Sequence, residues 1–269
     1  MGSMTAIPER NWWQEMPEEN LWYLVGLIAS DGCLSGDGRH IDITAKDGGY
    51  LELVKKACGI PNRVSRKYNG RGQLSHRIQL SSVSFWLFLQ NIGLMPDKSK
   101  RLGALSIPDD SFPDFLRGVI DGDGCIRKWR HPQNGGEQWS LKIVGASRPF
   151  VEWLGERTRS LLGATGRVHL QRNEFSGLWV LKFGKMSAQS VLEYCYFGSG
   201  RLAISEKAAL ARACIDAERG WSRSRTLSKS KKKILPEWRN RQTQGTLGKG
   251  LLHGNMKVIN RVNSGKPTS

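Results

Sequence analysis

Residues 24–33 read LVGLIASDGC and residues 116–125 read LRGVIDGDGC, which sets Asp31 and Asp123 in the same slot 92 positions apart. The correspondence continues in order: 43–54 (ITAKDGGYLELV) with 143–154 (IVGASRPFVEWL), Arg63-Val64 with Arg167-Val168, and Gly93 with Gly198. The offset grows by eight between the first two matches, which assigns an insertion to the hairpin around HPQNGGEQ. Repeated order of this kind makes each copy one structural unit.

The periods within a copy predict its elements. The apolar stretch before each aspartate has helical spacing, with Pro17 and Pro113 near its start, where proline is tolerated. Two strands follow, and the second alternates: Ile41 and Ile43 against His40, Asp42 and Thr44; Trp139, Leu141 and Ile143 against Ser140, Lys142 and Val144. Helices are expected at 50–57 and 150–162, then hairpins closed by Asn69-Gly70 and by NEFSG, then helices at 84–91 and 187–196. The order αββαββα therefore occurs twice, an α+β fold with antiparallel sheets. Residues 1–15 form an N-terminal extension beginning with a cloning remnant, 16–102 the first domain, 103–112 a linker, 113–220 the second domain and 221–269 a flexible basic tail.

Charge narrows the partner. The chain has 41 Lys and Arg against 24 Asp and Glu, a net of +17, which favours a polyanion, nucleic acid before an anionic membrane. Ten tryptophans and 39% hydrophobic residues exclude a disordered polycation. No apolar run approaches a membrane span and no signal pattern is present, so a soluble protein of the cytoplasm, nucleoid or an organelle is expected. Cys33, Cys58, Cys125, Cys195 and Cys214 contain no CxxC, which suits a reducing compartment and no zinc site. The tail from Trp221 carries twelve basic residues and one acid, a net of +11, leaving +6 for residues 1–220.

Gly26 and Ser30, and Gly118 and Gly122, are small residues spaced i, i+4, and such faces let two helix backbones approach closely. Packing along them would bring Asp31 and Asp123 together, and adjacent carboxylates call for a shared cation or a proton. The outward strand positions are His40, Asp42 and Thr44; Arg63, Ser65 and Lys67; Ser75, Arg77 and Gln79; Ser140 and Lys142; Arg167, His169 and Gln171; and Lys182. This mixture suits base edges better than a uniform phosphate grip. Cys33 and Cys125 are expected to be small buried packers, and Trp86, Trp139, Trp153 and Trp179 core residues. Trp12 and Trp13 are expected to pack across the domains.

Two such motifs in register, each followed by strand–strand–helix segments, resemble the single-chain LAGLIDADG homing endonucleases over 21–219. The resemblance implies a saddle of two sheets on the major groove of double-stranded DNA and a long pseudo-palindromic site recognised by a monomer. It implies hydrolysis with Mg²⁺ or Mn²⁺ and a staggered cut with short 3′ overhangs. Asp31 and Asp123 would be catalytic and bind metal, with the carbonyls of Ser30 and Gly122 as further ligands; Asp121 would be structural or a modest electrostatic contributor. Lys98, with Lys100 beside it, matches the family's recurrent lysine near the scissile phosphate. Copy two departs from the pattern: Arg201 and Lys207 lack that spacing, and Ala45 and Gly145 stand where a polar residue is common, which implies unequal cutting of the strands. The alternatives are a maturase acting on intron RNA and a degenerate DNA-binding regulator.

Overall fold

Both motif segments end helices at their aspartates: α1 spans Glu18–Asp31 and α4 spans Phe112–Asp123. The structure, a computed structural model, describes residues 12–68, 70, 72–133, 135–172, 177–198 and 200–222. The hairpin residues Asn69 and Asn173 and the tail beyond Ser222 lie outside these. Pro17 precedes α1, whose first turn carries Glu18 and Glu19; Pro113 opens α4. Acids there complement the positive helix start.

After α1 come β1 (Gly32–Leu34), β2 (His40–Ala45), α2 (Gly48–Ala57), β3 (Val64–Tyr68), β4 (Leu74–Ser81) and α3 (Val83–Asn91). After α4 come β5 (Gly124–Arg130), β6 (Glu137–Gly145), α5 (Arg148–Leu162), β7 (Gly166–Arg172), β8 (Gly177–Phe183) and α6 (Lys185–Tyr196). A further helix, α7 (Ser205–Ser222), follows. The antiparallel sheets have the orders β1-β2-β4-β3 and β5-β6-β8-β7. Gly32 opposes Ile43 and Gly124 opposes Ile143, which confines the eight extra residues to the β5–β6 hairpin.

One face of each sheet buries its alternating apolar residues against helices. Ile41, Ile43, Ile78 and Leu80 are sealed in the first domain, and Trp139, Leu141, Leu181 and Phe183 in the second. Local caps set the helix starts: Asp47 accepts from the Gly49 N–H at 2.8 Å, and Ser82 from the Phe85 N–H at 3.2 Å. Trp12 and Trp13 lie not across the domains but on α3, with ring centroids 5.4 Å from Phe85 and 4.8 Å from Phe88. The rings of Phe85 and Phe88 and a hydrogen bond from the Trp13 indole N–H to the Ser84 hydroxyl at 3.1 Å hold them there. Between the domains, 103–111 packs closely: Leu105 and Ile107 are buried, and Arg157 holds the Ile107 carbonyl at 2.7 Å.

α1 and α4 are in backbone contact. A Cβ on Gly26 would collide with the Phe115 carbonyl oxygen, and one on Gly118 with that of Tyr23. The glycines are therefore required by proximity, and the two aspartates end at the same edge of the helix pair. No helix among the described residues is long and apolar enough to cross a membrane.

Candidate functional site

The C-terminal end of a helix carries partial negative charge and unpaired carbonyls, an unfavourable place for a carboxylate. Here two such ends meet and each carries an aspartate. The Asp31 Oδ2 lies 3.1 Å from where a Cβ on Gly122 would stand, so a side chain at 122 would crowd it. Burial pushes the Asp123 carboxyl up to about 6, reinforced by the charge of Asp31 and opposed by Lys98 and Lys207. Burial also raises Asp31, against the pull of Lys207 and Lys98. Asp31 remains open to solvent while the packed helix ends beneath it desolvate its carboxyl.

Two lysines compensate the helix ends. Lys98, a residue only 7% exposed, donates from its ammonium to the Ala29 carbonyl at 2.7 Å and the Ser30 carbonyl at 3.2 Å. Lys207, in the first turn of α7, donates to the carbonyls of Ile120 at 2.8 Å, Asp121 at 2.5 Å and Gly122 at 3.3 Å. Asp121 and Gly122 are the repeat equivalents of Ala29 and Ser30, so the lysines occupy matching places. Burial lowers the pKa of both, and the carboxylates around them oppose this. Sequence spacing concealed the equivalence, because Lys98 follows a short turn after α3 whereas Lys207 begins an extra helix.

A cavity lies on either side of the paired helix ends. One, of 440 Å³, has Asp31, Thr44, Ala45, Tyr50, Asp121 and Gly122 in its wall; the other, of 230 Å³, has Asp123, Val144, Gly145, Phe150, Ala29 and Ser30. These six residues of each wall are repeat equivalents, whereas Leu27 and Ile204 line only the first cavity and Ser99 and Leu102 only the second. Lys98 lines the second cavity.

Asp121 holds the domains together. Its carboxylate accepts from Tyr23 and Tyr196 hydroxyls, each at 2.6 Å, and from the Ile204 N–H at 2.7 Å; Tyr50 in turn donates to Tyr23 at 2.6 Å. Arg117, fully buried, binds Asp114 at 2.6 Å, the Leu202 carbonyl at 2.9 Å and the Cys195 carbonyl at 3.0 Å. These contacts fix the segment that leads to Lys207.

The sheet faces opposite the helices carry the other sequence-selected residues. Direct pairing sets Asp42 beside Gln79, Thr44 and Ser65 beside Arg77, and Lys67 beside Ser75, with His40 at the strand end and Arg63 just before β3. In the second domain Arg167 opposes Lys182, which opposes Lys142; His169 opposes Val180 and Gln171 opposes Leu178. Ser140 sits on the same face but is 2% exposed. Arg77 lies 3.6 Å from Asp42. Cys33 and Cys125 are exposed, contrary to expectation, because they pair with Asp42 and Lys142 on this outer face. Arg127 and Trp129 share it and escaped the sequence reading; alternate positions in GCIRKWR were the available signal.

Residues 18–93 match the family model of a LAGLIDADG-like domain. No curated protein matches the sequence. The fold is similar to that of the homing endonuclease I-WcaI bound to its DNA recognition sequence, with a TM-score of 0.52 at 13% identity over 77% of this chain and 95% of that one. It is also similar to the I-SmaMI LAGLIDADG homing endonuclease bound to cleaved DNA, with a TM-score of 0.51 at 14% identity over 75% of this chain and 90% of that one. At such identities the likeness is one of fold, and it extends over both domains. The chain thus contains a LAGLIDADG-like domain at 18–93 and has the two-domain LAGLIDADG fold.

Proposed function

We propose that this chain is a site-specific, metal-dependent endonuclease for double-stranded DNA, acting as a monomer on a long pseudo-palindromic site. The observation that carries the reading is the juxtaposition of Asp31 and Asp123 at two helix ends, each with a lysine, Lys98 or Lys207, anchored on the helix-end carbonyls behind it. A fold that only bound DNA or intron RNA would gain nothing from this arrangement, in which burial, reinforced by the charge of Asp31, raises Asp123. The maturase and regulator readings have no comparable support.

The donor set fits Mg²⁺ or Mn²⁺. Among the described residues no group of three or more His, Cys, Asp or Glu side chains could hold a metal. Two carboxylates, with the helix-end carbonyls of Ser30 and Gly122 beside them, leave positions for phosphate oxygens and water, as hard cations require. When bound there, such a cation would polarise the scissile phosphates and favour hydroxide at neutral pH. Asp31 and Asp123 would hold it and keep both strands' phosphates close. Lys98 and Lys207, anchored on main-chain carbonyls, would present fixed positive charge to the negative charge that develops during cleavage. The two cavities give water access from opposite sides, one per strand. The outer sheet faces bear mixed Arg, Lys, Gln, Ser and His side chains suited to the major groove.

Staggered cleavage with short 3′ overhangs and a role in intron homing belong to the same reading. The test is incubation of a randomised duplex library with Mg²⁺, followed by sequencing of cut ends. A single recurrent staggered site is expected. Intact duplex under Mg²⁺ and under Mn²⁺ would overturn the proposal.

A further inference from the structure

The two halves differ most in the ribbon that leads away from each aspartate. β1 and β2 pair over three residues, from Gly32 opposite Ile43 to Leu34 opposite Ile41. β5 and β6 pair over seven, from Gly124 opposite Ile143 to Arg130 opposite Glu137. Four further pairs at about 3.4 Å per residue lengthen the second ribbon by roughly 14 Å, the rise of about four base pairs. The β7–β8 pairing is also longer than β3–β4, seven pairs against five.

The extension has two dissimilar faces. On the inner side Lys128 binds Glu137 at 2.7 Å and lies over the Trp139 ring at 5.2 Å, while the Trp139 indole N–H donates to Glu137 at 2.7 Å. Lys185 also donates to the Glu137 carbonyl at 3.2 Å. This face is internally satisfied and stiffens the ribbon. On the outer side, continuous with Lys142, stand Arg127, Trp129 and Gln138. Trp129 is 40% exposed, and none of the three side chains has a bonding partner among the described residues.

We infer that the DNA half-site under the second domain is longer than that under the first by about four base pairs, its outer positions read by Arg127, Trp129 and Gln138. This rests on the endonuclease reading. A two-stranded ribbon fits the major groove, where arginine pairs with the O6 and N7 of guanine, glutamine with adenine, and an apolar ring with a thymine methyl. β5 starts immediately after Asp123, so Trp129, six residues on, lies up to about 20 Å from the cleavage centre along the strand. The first ribbon turns back after Leu34.

The test is selection of bound duplexes from a random library by the full chain, repeated with Arg127→Ala and Trp129→Ala. The wild type is expected to give unequal half-sites. Each variant is expected to lose roughly tenfold discrimination at outer positions of the longer half alone, with unchanged preference at inner positions reporting a folded protein. Half-sites of equal length, or variants that weaken binding uniformly at every position, would overturn the inference and leave the nuclease reading intact. Failure of the wild type to select any duplex would overturn both.

Discussion

Lys98 caps the helix that carries Asp31, yet it shares its cavity with Asp123. The reverse holds for Lys207, which caps the helix of Asp123 and is the strongest cationic influence on Asp31. Each lysine therefore couples one domain's backbone to the other domain's carboxylate. Lys98→Met and Lys207→Met keep the buried stem and remove the charge. Each is expected to lower the cleavage rate by roughly 10²- to 10³-fold while leaving DNA affinity within a few-fold. Single-turnover kinetics on a selected site, beside a binding isotherm, would check this; an unchanged rate in both variants would assign the lysines to helix capping alone.

Asp31→Asn and Asp123→Asn should each abolish double-strand cleavage and retain binding. They should also separate function from stability. The folded-state value of Asp123, about 6, exceeds the usual carboxylate value near 4. Its contribution to stability is therefore present below about pH 4 and is lost as pH rises through about 6. Metal-free protein should gain relative stability on moving from about pH 7.5 to about pH 5, and Asp123→Asn should reduce that gain. Thermal unfolding in chelator, then with saturating Mg²⁺, reads the effect; Mg²⁺ is expected to raise the wild-type midpoint most at the higher pH, where no proton competes for the site.

Asp121 makes the opposite prediction, although it stands two residues from Asp123. It is 2% exposed and accepts three hydrogen bonds that join α1, α6 and the segment before α7. Tyr23→Phe, which removes one donor, should cost about 1–3 kcal/mol in denaturant unfolding. Arg117→Ala, which removes the fully buried partner of Asp114 and leaves that carboxylate only Arg201 at 2.8 Å, should cost about 3 kcal/mol. The surviving folded Tyr23→Phe protein should still cut at the same site, with its loss expressed in stability.

The glycine crossing sets the separation of the aspartates. Gly118→Ala and Gly26→Ala would each drive a Cβ into a facing carbonyl, and helix backbones cannot yield as a side-chain tip does. Overpacking of about 1–3 kcal/mol is expected by urea unfolding, together with reduced cleavage because the helix ends are forced apart. By contrast Gly36→Ala, with open space around its Cβ position, should be neutral in both assays.

What the sequence made legible was local or repeated. Alternation placed Ile41 and Ile43 inside and His40, Asp42 and Thr44 outside, and the register agrees. The 92-residue repeat matched Asp31 with Asp123 because nothing is inserted between a motif helix and its own aspartate. Lys207 was harder to read: it lies 84 residues beyond its aspartate against 67 for Lys98, and the two arrive at equivalent carbonyls from different secondary structures. Only packing creates that equivalence. Cys33 sits in a strand of three residues, too short for a period to assign its face.

The tail supplies a last test that needs no structure. Residues beyond Ser222 hold twelve Lys and Arg and one Glu, whereas residues 1–220 carry a net of only +6. Each phosphate neutralised contributes about −0.9 to the slope of log affinity against log salt on duplex DNA. Truncation after Ser222 keeps α7 and Lys207 intact. It should flatten the slope for random duplex more than it changes the ranking of selected sites, measured by competition binding over a salt series. If site ranking collapsed while the random-duplex slope stayed the same, the tail would read bases, and the outer sheet faces would not be the sole recognition surface.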